Sequence, residues 1–133
     1  GPMEKWCKEF VKHNVVNIEL KGFVPNDETQ KLISCSKALI LPTQWYEGFP
    51  MSIVEAFSVG TPVVCSDLGN AGNIVENGKT GYKFFGGSVE SLIEAIRKSE
   101  NKHMFADVKN EYLVNYMEER NYSILLKIYE RIK

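Results

Sequence analysis

Two carboxylates, Glu47 and Glu55, stand with seven residues between them in the stretch Leu41-Pro42-Thr43-Gln44-Trp45-Tyr46-Glu47-Gly48-Phe49-Pro50-Met51-Ser52-Ile53-Val54-Glu55-Ala56-Phe57. Glu55 interrupts Ile53, Val54, Ala56 and Phe57, which otherwise describe a buried helix. A carboxylate in that setting needs a partner or a solvent-lined cleft. Gly48 lets a ligand come close to the backbone, and Pro50 suits a first helical turn because its missing N–H would be unpaired there. The first-turn amides of Met51 and Ser52 then remain as free donors at the positive end of a helix, an arrangement that takes a phosphate. Glu55 lies about 6–8 Å up the helix from its start. An acid on each side with amides between them matches a ligand that has hydroxyls at both ends and a pyrophosphate in the middle, because carboxylates make charge-assisted bonds to hydroxyls. Taken singly, each glutamate has a plainer reading, Glu47 as a loop charge favourable to the helix dipole and Glu55 as a solvated helix face. The pair, set around Gly48 between a buried strand and Gly60-Thr61-Pro62, favours the ligand site.

The elements that must position this stretch alternate. Trp6, Phe10 and Val11 recur at helical spacing over residues 4–13. Residues 15–20 form a β-rich run that ends at Lys21-Gly22. Asn26 or Asp27 caps a helix through about Ser36 that turns Leu32 and Ile33 inward. Ala38-Leu39-Ile40-Leu41 is a short continuous apolar run, as in a parallel strand buried on both faces. A loop over residues 43–49 leads into a helix over 50–59, stopped by Gly60-Thr61-Pro62, and Val63-Val64-Cys65 is a second buried strand. After Gly69-Asn70-Ala71-Gly72 a short helical turn holds Ile74 and Val75, Asn77-Gly78 turns, and residues 82–85 make the last strand. Ser88 caps a helix carrying Val89, Leu92, Ile93 and Ile96. Helices over roughly 103–117 and 121–132 follow, the last with a stripe of Ile124, Leu125, Ile128, Tyr129 and Ile132. Strands alternating with helices predict an α/β, doubly wound, Rossmann-like parallel sheet, with the Glu47–Glu55 stretch at the carboxyl end of a strand where such sheets place ligands.

Composition narrows the function classes. The chain has 133 residues, 44% of them hydrophobic, and 16 basic against 17 acidic residues give a net charge of -1. No basic excess speaks for a nucleic-acid partner. No apolar run is long enough to span a bilayer. Cys7, Cys35 and Cys65 are scattered, which reads as reduced thiols in a cytoplasmic protein, and His13 and His103 stand alone. Gly1-Pro2 reads as a tag scar, and the rest as a single domain.

The stretch resembles glycosyltransferase family four, the retaining group 1 enzymes of GT-B fold, through Glu47 and Glu55 as its Glu-x7-Glu pattern. The match continues through Glu55-Ala56-Phe57-Ser58-Val59-Gly60-Thr61-Pro62-Val63-Val64, and Gly69, Asn77-Gly78 and Thr80-Gly81-Tyr82 resemble its following loop and turn. Gly22-Phe23-Val24-Pro25 is similar to the segment along the nucleotide base, and Asn121-Tyr122-Ser123 onward to its terminal crossing helix. The resemblance covers almost the whole chain. It implies the donor-binding C-terminal half of a transferase that moves a sugar from a nucleotide diphosphate sugar to an acceptor, in polysaccharide or glycolipid synthesis. Glu47 would contact the transferred sugar near the reacting carbon as the catalytic residue, and Glu55 would bind the ribose hydroxyls. Gly48, Phe49, Met51 and Ser52 would offer amides to the phosphates and sugar, and Phe23 and Val24 would meet the base through backbone groups. The family's first strand, the basic pair that faces the pyrophosphate, and the acceptor domain are expected upstream of residue 1.

This chain departs from that pattern at Pro50, where many relatives have glycine, and at Asn73, where an acid is common. With no Asp-x-Asp, neither a metal nor another cofactor is expected, and basic side chains would neutralise the leaving group. Trp45 and Tyr46 fit a donor pocket and loop packing equally. The resemblance leaves peripheral membrane association of the full-length enzyme open. Two other readings stand beside it: a nucleotide-sugar-binding module without transfer, and a generic α/β interaction domain, which fold alone does not exclude.

Overall fold

A computed structural model describes residues 1–14, 16–100 and 103–132. Three short strands, β1 (Leu39–Leu41), β2 (Val63–Ser66) and β3 (Gly81–Phe84), form a parallel sheet in the order β1-β2-β3. Leu39 pairs with Val63, and Val63 with Gly81. Between them run α3 (Met51–Ser58) and α4 (Gly69–Ile74), while α1 (Glu4–His13) and α2 (Asn26–Ser34) precede the sheet. After it come α5 (Val89–Glu100), α6 (Phe105–Asn115) and α7 (Glu118–Ile132).

Every residue of β2 is buried, and its alternation divides the core into two layers. Val63 and Cys65 pack with Ile53 and Phe57 of α3, Ala71 of α4, Val75, Met104 and Val108. Val64 instead joins Phe84 and Ala95, with Leu92 and Ile96 of α5 against them. Successive side chains of a strand point to opposite faces, so a continuous apolar run is what a sheet covered on both sides requires. The doubly wound α/β reading of the sequence is the observed fold.

The end of α3 sets the start of β2. Gly60 takes a positive φ of 78°, Thr61 N–H donates to the Ala56 carbonyl at 2.9 Å, and Gly60 N–H donates to Phe57 at 3.0 Å. This pair of bonds is a Schellman closure, which satisfies the last helical carbonyls and turns the chain back to the sheet. The Thr61 hydroxyl also donates to the Ile33 carbonyl at 2.8 Å, which ties α2 to the same corner.

Several expected details differ. Residues 16–20 are extended but join no ladder among the described residues, and Val16, Ile18 and Leu20 are exposed, while Val15 lies outside the described residues. β propensity marks a segment that fits a sheet, but a strand exists only with a hydrogen-bonded neighbour. Helix α2 ends at Ser34 and not Ser36, and it starts at Asn26 without a side-chain cap. Ile33 is buried, whereas Leu32 is exposed. Ser88 does cap α5, its Oγ accepting Ser91 N–H at 3.2 Å. The buried residues of α5 are Ala95 and Ser99, while Val89 and Ile93 stay exposed. The stripe of α7 is exposed throughout, and α7 buries no residue. No helix among the described residues is long and apolar enough to cross a membrane.

Candidate functional site

Residues 43–50 leave the carboxyl end of β1 and enter α3. Helix α3 begins at Met51, one residue later than the sequence suggests, so Pro50 is its N-cap and not its first helical residue, and it is buried. No side chain caps this helix. Ile53 N–H is taken by the Pro50 carbonyl at 3.0 Å. The amides of Met51 and Ser52 therefore sit at the open, positive end of the helix. Met51 is 58% exposed, so that end faces solvent.

Glu55 lies four residues into α3, about 6 Å along the axis from Met51. It is half-buried between the fully buried Ile53 and Ala56 positions, and its carboxylate forms no salt bridge among the described residues. Partial exposure lets water solvate a charge that burial would otherwise penalise. Glu47 is exposed on the loop. A Cβ built on Gly48 would meet no atom within 4 Å, and its φ is not positive. Nothing inside the protein demands glycine at this position; the space beside it is open to solvent.

The loop is held from the side by the end of β2 and the start of α4. Ser66 Oγ donates to the Thr43 carbonyl at 2.5 Å. The ring of Tyr46 covers Gly69, whose φ is +55°, so closely that a Cβ there would stand 3.0 Å from Tyr46 Cδ1. The Asn70 side-chain amide donates to the Glu47 carbonyl at 3.3 Å and also to the Gly48 carbonyl. On the other flank, Phe49 meets Tyr116 at 6.4 Å between ring centroids, and Tyr116 in turn meets Phe57 at 6.2 Å. Burial, with a smaller contribution from Glu111, raises the Tyr116 phenol above its ordinary pKa.

The structure thus gathers Glu47, Gly48, Phe49, Met51, Ser52 and Glu55 in one loop-and-helix passage. Phe23 and Val24 occupy a separate loop ahead of α2, a helix that packs on α3. Phe23 is fully exposed, and no hydrogen bond or ring contact among the described residues joins it to either glutamate. Sequence reasoning missed Asn70 and Tyr116, which lie 23 and 69 positions beyond Glu47 and join its loop only through the fold. It also missed a cavity of about 290 Å³ at the carboxyl ends of the strands, lined by Gln44, Asp67, Leu68, Phe85, Gly86 and Gly87. Cys65 is no candidate nucleophile: burial pushes its thiol up to about 12, and its Sγ donates to the Ala71 carbonyl at 3.5 Å.

With a parallel sheet, an uncapped helix start and two carboxylates in place, comparison with known proteins is informative. The family profile "Glycosyl transferases group 1" matches residues 1–127, and the chain belongs to that family. A glycogen synthase of Mycobacterium tuberculosis is 34% identical over 99 residues, 73% of this chain and 24% of that protein. Among solved structures, a sucrose-phosphate synthase from Thermosynechococcus elongatus superposes with a TM-score of 0.82 at 17% identity, over 99% of this chain and 35% of that one. Anabaena HepE in complex with UDP and glucose superposes at 0.73 with 20% identity, over 97% of this chain and 38% of that one. These structural likenesses place the fold in the GT-B glycosyltransferases. The chain spans about a quarter of the length of the glycogen synthase that it matches.

Proposed function

We propose that this chain is the donor-binding part of a retaining glycosyltransferase, holding a nucleotide diphosphate sugar at the start of α3. The observation that carries this reading is the uncapped end of α3, with free Met51 and Ser52 amides and a carboxylate to each side, Glu47 before it and Glu55 within it. The amides take the pyrophosphate, Glu55 the ribose hydroxyls, and Gly48 and Phe49 the transferred sugar. Glu47 supports the oxocarbenium charge that develops at the reacting carbon. Phe23 and Val24 meet the base through their backbone groups. The open space at Gly48, which the fold itself does not use, supports close approach of a ligand there.

In this reading the reaction is hexosyl transfer in polysaccharide or glycolipid synthesis, in the cytoplasm and without a metal. Basic side chains elsewhere in the full-length protein neutralise the diphosphate leaving group. The acceptor, a sugar or lipid, is held by the part of the protein that this chain does not include, so the chain alone transfers nothing. That HepE was solved with UDP and glucose makes UDP the first nucleotide to try.

The test is donor binding by the full-length protein, screened with uridine, guanosine and adenosine diphosphate sugars. Glu55→Ala removes a charged acceptor from the ribose, a loss of about 1.5–3 kcal/mol or roughly 10- to 150-fold in affinity. A folded variant with an unchanged donor dissociation constant removes the ribose assignment. Absence of binding by every nucleotide sugar removes the donor site itself.

A further inference from the structure

The Asn70 side chain carries information that the two glutamates do not. Its Nδ2 group donates to two successive carbonyls, Glu47 at 3.3 Å and Gly48. No peptide bond among the described residues is cis. In a trans peptide the N–H points opposite to the C=O of the same unit. The Glu47 carbonyl shares its peptide with Gly48 N–H, and the Gly48 carbonyl shares its peptide with Phe49 N–H. Fixing both carbonyls on Asn70 therefore turns both N–H groups the other way, off the α4 side of the loop. Neither N–H has an acceptor within the protein among the described residues.

The loop would not hold this orientation by itself. Glycine is the most conformationally free residue, and no contact restrains Gly48 from its Cβ side. The other ties lie to either side of these two peptides: Ser66 to Thr43 and Tyr46 over Gly69 ahead of Glu47, and the Tyr116 ring against the Phe49 side chain after Gly48. Asn70 is the described side chain that hydrogen-bonds the Glu47 and Gly48 peptides themselves.

We propose that Asn70 is a positioning residue, which presets the Gly48 and Phe49 amides as a pair of donors for the transferred group of the nucleotide sugar. The role rests on the donor-site reading above. Donors fixed before reaction stabilise developing charge without reorganisation, and that is where preset amides act most strongly. The Met51 and Ser52 amides are set by α3 and not by Asn70, so Asn70 governs the sugar end of the donor and leaves the diphosphate end alone.

Asn70→Ala removes the tie, and Asn70→Asp keeps the shape while replacing the donating amide with an acceptor. Asn70 is exposed, so both variants fold, as an unchanged unfolding midpoint would confirm. In the 133-residue chain, ¹⁵N order parameters at Gly48 and Phe49 fall from about 0.85 to below about 0.6 in both variants. In the full-length protein, turnover of nucleotide sugar falls roughly 10- to 100-fold, below the loss expected from deleting a whole donor. Affinity for UDP, GDP or ADP, whichever the wild type binds, stays within about threefold, less than the tenfold that 1.4 kcal/mol would give. A merely structural role would not separate these two readouts. Glu55→Ala is measured alongside. If it leaves diphosphate binding unchanged, the ribose assignment fails; if the wild type binds no nucleoside diphosphate at all, the donor reading fails and the positioning role falls with it. If Glu55→Ala weakens binding while both Asn70 variants turn over normally, the positioning role alone is wrong. Loss of turnover without loss of loop order overturns it as well, and so does loss of loop order with normal turnover.

Discussion

Glu47 and Glu55 stand on different kinds of backbone, and this separates what each can do. Glu55 is fixed within α3, half-buried among apolar residues, so its position is set before any ligand arrives. Such a group suits steady binding of a ground-state partner. Glu47 lies on an exposed loop whose carbonyl is tied to Asn70, beside a glycine with open space. In the proposed role its partner is charge that grows only as the glycosidic bond breaks, and an interaction made in the transition state appears in the rate of the chemical step. Glu47→Gln in the full-length protein should therefore lower turnover by about 10²- to 10³-fold while changing donor affinity little. Steady-state kinetics with direct donor titration checks this. Wild-type turnover with weakened donor binding would make Glu47 a binding residue. Both glutamates were legible in the sequence as candidates, Glu55 as a charge inside an apolar helix and Glu47 through its spacing from Glu55 around Gly48. Asn70 was not, since nothing in Gly69-Asn70-Ala71-Gly72 says that its amide reaches back 23 positions to Glu47.

At the scale of elements, the parallel sheet was legible where its strands are buried on both faces. Val63-Val64-Cys65 is continuous in apolar residues because α3 covers one side and α5 the other. Residues 16–20, Val16-Asn17-Ile18-Glu19-Leu20, alternate apolar and polar side chains as a half-buried strand would, yet they join no ladder among the described residues, because a ladder depends on a neighbour that local sequence does not report. The α5 stripe failed more gently. Helical periodicity found the helix, but the small Ala95 and Ser99 are the buried residues, since close packing on β2 and β3 leaves little room at that face. The same closeness governs Gly81, at the first position of β3. A Cβ there would lie 1.8 Å from the Val63 carbonyl oxygen, and backbone atoms cannot yield as a flexible side chain can. Gly81→Ala should destabilise the chain by about 3 kcal/mol or more, at or beyond the upper range for overpacking, by forcing β3 away from β2. Urea denaturation would show this as a lower midpoint, and an unchanged midpoint would mean that the strands separate without cost. The turn before it, with Gly78 at φ 75° and its N–H donating to the Gly81 carbonyl at 2.8 Å, was readable from Asn77-Gly78.

At the scale of the whole molecule, family membership was legible because the resemblance runs through nearly the entire chain, and the group 1 profile covers residues 1–127. What lies outside the chain was legible only as expectation. One wall of a cleft leaves a bound pyrophosphate largely hydrated, and charges gain strength mainly when water is excluded. The isolated chain should thus bind a nucleoside diphosphate weakly, with a dissociation constant on the order of 0.1–1 mM, and transfer no sugar. Calorimetry with a donor-turnover assay checks both, and tight binding with transfer would show the chain to be self-sufficient. Where the ligand sits is the more direct question. Titrating UDP, GDP and ADP into the ¹⁵N-labelled chain and following its amide resonances answers it residue by residue. The account predicts saturable shifts centred on Gly48, Met51, Ser52 and Glu55, with Val24 joining them, and their loss in Glu55→Ala. Shifts centred instead on a second cavity, at the amino ends of the strands and lined by Lys37, Gly60 and Phe105, or shifts that Glu55→Ala leaves unchanged, would contradict it.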